Sequence, residues 1–418
     1  MTISTTIISS YIYDYDSGNI DIDYYPLREL ALIFFLSVSI VFGAYAINVS
    51  NSAIIVLLVL VFVAFIPILS VTISASRKVI LLLGTAFALL YQDALLVTGM
   101  TGGDQPMEYY LANITLTNGY WDPEIALHHY ELLRISLLHP AMKELTGLSL
   151  YWSMKLLTPV YPLLLVPVVY AITREKLSEQ AAYFGSFIYI SFFPFFTRLS
   201  RDGRSGMAIF FSAVLILSLL DSSLSRKQSF IYGGIASIGL SLSHEGIAVI
   251  AFGIIVGASL ISGKRIGLSI AVIGGISAFL LYAYTTDAVM FELIVGVFMT
   301  ILSRIESFGI GSSAAQAVRA SNYSYTVVFI KIYFITITIT AGIGILLHRV
   351  RSFIDKTKIT LWDGLLFFTL LFLLATFAPV SIMGIQRSIM IGMIPVVGYV
   401  YYAIKYTSLK FVPDNSVI

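Results

Sequence analysis

The chain has 418 residues, of which 58% are hydrophobic and 11% carry a charge, and its formal net charge is +2. A soluble protein carries charges on roughly 25% of its residues, so this composition excludes an ordinary soluble domain. The small net charge argues against a nucleic-acid partner, and the absence of cysteine excludes disulfides. These values predict a helical membrane protein.

Apolar runs of about 20 residues recur along the chain, and each is long enough to cross a bilayer as a helix. They predict an all-α, polytopic bundle of about twelve spans behind a polar N-terminal segment, residues 1–26. Two N-terminal spans occupy 27–78, and a third leads into a large polar loop. The predicted spans are 27–47, 53–74, 79–98, 150–172, 180–197, 205–221, 230–243, 247–262, 266–284, 325–347, 361–379 and 385–404.

Short basic connections predict the orientation, because cytoplasmic loops are enriched in Lys and Arg. These connections and the basic stretch 349–358 are expected on the cytoplasmic side of the cell membrane. The same parity places the 99–149 loop on the external face. It also makes 285–324 an external interfacial or re-entrant segment before the C-terminal helices of 325–418. The basic residues of the connections are Arg77, Lys78, Arg174, Lys176, Arg226, Lys227, Lys264 and Arg265.

The 99–149 loop gathers much of the acid–base chemistry of the chain. Asp104 precedes Pro106 and is predicted to be the N-cap of a helix, with Glu108 one turn later on the same face. Asp104 either only caps this helix, or it removes a proton from an acceptor hydroxyl or helps to hold a metal ion. In the second interpretation Glu108 supports it.

A second predicted helix start, Trp121–Glu124, places His128 four residues after Glu124. One helical face could present Glu124 and His128 to a divalent ion such as Mg or Mn, with Asp104 as a further ligand. The alternative is an interfacial helix that carries Trp121 at the level of the lipid headgroups.

Three arginines lie in the external turn 198–204, against the positive-inside tendency. Guanidinium groups bind phosphate through paired hydrogen bonds, so Arg198, Arg201 and Arg204 are candidate ligands of a lipid phosphate. The alternative is a turn that anchors to headgroups through an Arg–Asp pair. Arg387, at the outer end of the last span, either binds the same phosphate or reaches to headgroups.

Two further places carry ionisable side chains that could support a site. His139 lies in the Leu138–Pro140 motif, and His244 and Glu245 lie in the Ser243–Gly246 turn between two apolar spans. For His244 and Glu245, a purely structural turn is the alternative interpretation.

On these motifs the chain resembles the GT-C superfamily of integral-membrane glycosyltransferases, and in particular archaeal predicted membrane glycosyltransferases. The resemblance covers residues 79–285 and includes the patterns G-x-D-x-x-x-E-Y-Y and S-H-x-G. The motifs that carry it are Gly102–Tyr110, Leu138–Pro140, Leu145–Ser149, Lys155, Thr158–Pro162, Arg201–Arg204 and Ser243–Gly246.

The resemblance implies an enzyme that takes a sugar from a polyprenyl-phosphate donor, such as a dolichyl-phosphate sugar, and transfers it with inversion outside the membrane. Asp104 would be the base, and Arg201 and Arg204, with Arg387, would stabilise the departing phosphate. The acceptor would be a lipid-linked glycan, a lipid or a protein. The 285–324 segment would resemble the mobile loop that closes over donor or acceptor.

Two other functions also suit twelve spans, namely a flippase or transporter of polyprenyl-linked glycans and a polymerase of such glycans. Transporters usually place ionisable residues at the midplane and show paired halves, whereas this sequence keeps its charges at the outer edge. A polymerase would share the external arginines but would not need Asp104.

Overall fold

A computed structural model describes residues 75–96, 99–100, 104–122, 137–285, 335–347, 360–376 and 385–411. Within these ranges every regular element is a helix and no strand is present, which confirms the predicted all-helical class for this part of the chain. The predictions for 1–26, 27–47, 53–74 and 286–324 concern residues outside these ranges.

The helices are numbered here in chain order. They are α1 (Ala75–Leu96), α2 (Gln105–Asn118), α3 (His139–Thr146), α4 (Leu150–Leu157), α5 (Val160–Lys176), α6 (Glu179–Ile190), α7 (Phe193–Thr197), α8 (Gly203–Leu220), α9 (Arg226–Ser241), α10 (Glu245–Ser262), α11 (Arg265–Thr285), α12 (Ile335–Leu347), α13 (Leu361–Thr376), α14 (Ile385–Val396) and α15 (Tyr399–Phe411).

Three of the described helical stretches are long and apolar enough to cross a membrane. They are Leu150–Lys176, which combines α4 and α5, and the single helices α8 and α10. Large apolar side chains on α10 and α11 point away from the protein, among them Leu260, Val272 and Leu280. Extended apolar surfaces of this kind are unfavourable in water and favourable against lipid.

Local sequence explains where several helices begin and end. Ser178 caps α6 by accepting a hydrogen bond from the Ala181 amide. Ser225 and Gln228 form a capping box at the start of α9, with each side chain bonded to the backbone of the other residue. The α10 helix ends at Ser262 and is followed by Gly263, whose φ of 68° lies in the left-handed region that glycine adopts without strain.

The α8 helix lies at the centre of the described bundle, packed between α5 and α9 and against α10. Small residues bring helices close together, as is common in membrane bundles. A Cβ atom added to Gly206 of α8 would lie 3.2 Å from Cδ of Pro162 in α5. A Cβ atom added to Gly185 of α6 would lie 2.9 Å from the Cα of Gly398, between α14 and α15.

Charged side chains mark the two ends of this bundle. Near one end, Lys78 of α1 forms an ion pair of 2.6 Å with Glu179, and Lys176 donates a hydrogen bond of 2.9 Å to the carbonyl of Leu220, the last residue of α8. Arg204 lies at the opposite end of α8, about 24 Å from Leu220, because the helix rises by about 1.5 Å per residue. The apolar length of α8 therefore separates two polar zones.

We expect the change Gly185→Ala to lower the free energy of unfolding by about 1–3 kcal/mol, because the added methyl group would collide with the Gly398 backbone. Thermal unfolding of the detergent-purified protein measures the change. The matched control is Gly253→Ala in α10, where an added Cβ atom meets nothing within 4 Å and stability should hold or rise. Equal melting temperatures for both variants would contradict the close contact.

Candidate functional site

The centre of the candidate site is Arg204, whose side chain is only 1% exposed in the first turn of α8. Its Nε donates a hydrogen bond of 2.8 Å to Oε1 of Glu108, and its Nη2 donates to Oδ2 of Asp104. Both carboxylates come from the loop that follows α1, about one hundred residues earlier in the chain. Charge-assisted hydrogen bonds therefore fasten α2 to the start of α8.

Asp104 stands at the N-cap position of α2, with Pro106 in the first turn, as the sequence predicts. Its side chain nevertheless makes no capping hydrogen bond and binds the guanidinium of Arg204 instead. The amide of Glu108 donates a 2.9 Å hydrogen bond to the carbonyl of Asp104, so one helical turn presents both carboxylates to the same arginine.

The two carboxylates differ in their access to solvent. The side chain of Asp104 is 40% exposed, whereas that of Glu108 is 2% exposed. A reactant can therefore approach Asp104, while Glu108 lies behind it against Arg204. Asp104 is therefore on the accessible side of the pair, and Glu108 is on the buried side.

The turn before α8 is built around Asp202, which caps the helix. Asp202 accepts hydrogen bonds from the amide and the hydroxyl of Ser205, at 3.1 and 2.8 Å. The Nε of Arg198 lies 3.5 Å from an Asp202 oxygen, and the Arg198 side chain is 34% exposed. Arg201 is also partly exposed in this turn. These two arginines, unlike Arg204, therefore face the edge of the site.

The Ser243–Gly246 turn joins the same site. His244 is buried at the N-cap position of α10, and its Nδ1 lies 3.5 Å from Oε2 of Glu245. Glu245 lies close enough to Arg204 to interact with it electrostatically, as do Glu108, Asp202 and Asp104. Four carboxylates from three chain segments therefore surround one buried guanidinium.

Hydrogen bonds from the buried side chains of Lys155 and Ser153 connect the segments around the loop. Lys155 of α4 is 4% exposed, and its Nζ donates a hydrogen bond of 2.8 Å to the carbonyl of Ala94 in the last turn of α1. The side chain of His139 is fully buried at the start of α3, and its carbonyl accepts a hydrogen bond from Ser153. Lys155 therefore holds the end of α1 from which the chain runs to Asp104.

Three predicted site residues cannot be placed beside this cluster. Glu124 and His128 lie outside the described residues, and Arg387 is described only as part of the α14 backbone. Within the described ranges, no group of three or more His, Asp or Glu side chains is arranged to hold a metal ion. One oxygen of Asp104 already accepts a hydrogen bond from Arg204. A divalent ion at this place would therefore bind the second oxygen of Asp104 together with Glu124 and His128.

The sequence predicts Arg204, Asp104 and Glu108 as site residues but does not predict that they pair with one another. Helix periodicity links residues three or four apart and gives no signal for partners that are 96 residues apart. A different signal was present: an arginine in the first turn of an apolar span requires a buried counter-charge. Asp104 and Glu108, predicted on the same face of the membrane, could supply it.

Comparisons with known proteins give this site no relative. No family model matches the chain, and no curated protein or solved structure is significantly similar to it.

We expect Glu108→Leu to cost about 3–5 kcal/mol of stability, because it removes the buried carboxylate that binds Nε of the buried Arg204 guanidinium. Adding Arg204→Met should recover most of the loss, since an apolar pair of similar volume replaces a buried ion pair at little cost. Thermal unfolding of the purified variants measures both effects. Glu144→Leu, at a carboxylate that is 68% exposed, is the control and should change little. A double variant less stable than Glu108→Leu alone would argue against the pairing.

Proposed function

We propose that the protein is a GT-C-type membrane glycosyltransferase, with about twelve spans and a site on the external face, that uses a polyprenyl-phosphate-linked sugar as donor. One observation carries the proposal: Asp104 is a partly exposed carboxylate held by a buried Arg204–Glu108 pair at the end of apolar helices. This arrangement supports a base that is fixed in orientation and open to a reactant.

In this proposal Asp104 accepts the proton of an acceptor hydroxyl. The hydroxyl oxygen forms a bond to the anomeric carbon of the donor sugar from the side opposite the phosphate. The bond between that carbon and the phosphate oxygen breaks, and the lipid phosphate leaves with the electron pair. The configuration at the anomeric carbon is therefore inverted. The hydrogen bond from Arg204 holds the Asp104 carboxylate in place for this step.

The departing phosphate gains negative charge, which positioned cations stabilise. We assign this role to Arg198 and Arg201, which are partly exposed in the turn before α8, together with Arg387. Arg204 is already compensated by Asp104 and Glu108, so we assign it the positioning of the base rather than contact with the lipid phosphate. His139 and His244 remain supporting residues in this scheme.

The acceptor is a lipid-linked glycan, a lipid or a protein that reaches the external face. A divalent ion such as Mg or Mn stays a prediction that depends on Glu124 and His128, and no step above requires it. Transfer measured with and without a chelator tests it.

We expect Asp104→Asn to lower transfer by about 10²–10⁴-fold, because general-base catalysis contributes a factor of that size. The assay incubates purified protein with radiolabelled polyprenyl-phosphate sugars and a membrane extract as acceptor. The matched control is Glu144→Gln, an exposed carboxylate in the same loop, which should retain full transfer. Melting temperatures of the variants confirm that each one is folded.

The assay also separates the other functions. Binding of the lipid-linked sugar without transfer from any donor would favour a flippase or transporter. Transfer that Asp104→Asn leaves unchanged would remove Asp104 as the base and favour a polymerase.

The proposed topology has its own test, because the chain contains no cysteine. Tyr120→Cys lies after α2 at an exposed position, and Lys227→Cys lies in the exposed first turn of α9. A membrane-impermeant thiol reagent added to intact cells should label Tyr120→Cys and should label Lys227→Cys only after lysis. The reverse pattern would place the site in the cytoplasm.

A further inference from the structure

One nitrogen of the Arg204 guanidinium has no hydrogen-bond partner among the residues that the structure describes. Nε and Nη2 bind the two carboxylates of α2, but Nη1 is buried and has no hydrogen-bond partner within the described ranges. A buried donor that is left unsatisfied costs about 1–3 kcal/mol. Such a group in a site is a reason to look for a ligand atom that accepts from it.

An unused acceptor lies in the same cluster. Oε2 of Glu245 is buried and has no hydrogen-bond donor among the described residues, and His244 Nδ1 approaches it only to 3.5 Å. Four carboxylates surround Arg204. Asp202 accepts hydrogen bonds from Ser205, and Asp104 and Glu108 each accept a hydrogen bond from Arg204 itself. Glu245 is the carboxylate that remains for a ligand.

The two unused atoms define the chemistry of that ligand. A hydroxyl group accepts one hydrogen bond and donates another, so it satisfies Nη1 and Oε2 together. A phosphate has only acceptor oxygens and would be repelled by four carboxylates around one guanidinium. An ammonium group could donate to Glu245 but could not accept from Arg204.

We infer that Arg204 Nη1 and Glu245 Oε2 together bind a hydroxyl group of a sugar, which makes Glu245 a specificity-determining residue. The inference rests on the proposed function, which supplies sugar on both sides of the reaction. Asp104, 40% exposed, binds Nη2 of the same guanidinium, so the proposed base and the proposed hydroxyl site share Arg204. The sugar belongs either to the donor or to the acceptor.

The test uses Glu245→Asp and Glu245→Ala in the full chain. Glu245→Asp keeps the charge near Arg204 but withdraws the carboxylate by one methylene, so a purely electrostatic role would survive it. In the donor arm, thermal stabilisation compares dolichyl-phosphate glucose and dolichyl-phosphate mannose with dolichyl phosphate alone. In the acceptor arm, the transfer assay gives KM for the acceptor. Glu144→Gln is the control in both arms.

We expect both Glu245 variants to bind dolichyl phosphate as the wild type does. In one of the two arms we expect an effect of about tenfold, as for the loss of a hydrogen bond to a charged group. The effect is either a weaker preference for the sugar-bearing lipid or a higher KM for the acceptor. Loss of preference for a sugar-bearing lipid assigns the hydroxyl to the donor, and a raised acceptor KM assigns it to the acceptor. Variants unchanged in both arms would overturn the inference and leave only a buried water between the two atoms. A wild type that binds no dolichyl phosphate and transfers no sugar would overturn the proposed function as well.

Discussion

The buried guanidinium of Arg204 is the constraint on which the rest of the site depends. A charge in the first turn of an apolar helix is strongly unfavourable unless opposite charge is bound to it. The chain meets this requirement from outside the helix bundle, by bringing α2 against α8 so that Asp104 and Glu108 reach the arginine. The loop after α1 is therefore positioned by the electrostatics of α8, and the location of Asp104 follows from it.

The two ends of the bundle use their charges differently. At the end away from the site, Lys78 pairs with Glu179, and Lys176 satisfies the carbonyl at the end of α8, so each cation completes one contact between helices. At the site end, one cation is shared among several carboxylates and retains an unused nitrogen. A purely structural role does not require such incomplete pairing, which is why the proposed chemistry lies at this end.

Much of the helical framework could be predicted from the sequence, because apolar runs and capping residues act locally. The predicted span 205–221 corresponds to α8, and 247–262 corresponds to α10. The predicted span 150–172 lies within Leu150–Lys176, which is long and apolar enough to cross a membrane although a turn at Thr158–Pro159 divides it into α4 and α5. The predicted span 180–197 divides before Phe193. Both breaks adjoin prolines that the hydropathy pattern ignores. The pairing of Arg204 with Glu108 could not be predicted from local rules, since tertiary packing brings these residues together.

In the proposed mechanism Asp104 is a base whose carboxylate is held by an arginine. Arg204 is shared between two carboxylates: the buried Glu108 accepts a hydrogen bond from Nε, and Asp104 accepts one from Nη2. Asp104 is the more exposed of these two carboxylates, so it is the one that an acceptor hydroxyl can reach. Glu108 therefore matters to the proposed catalysis without touching the substrate, because it holds the guanidinium that orients Asp104.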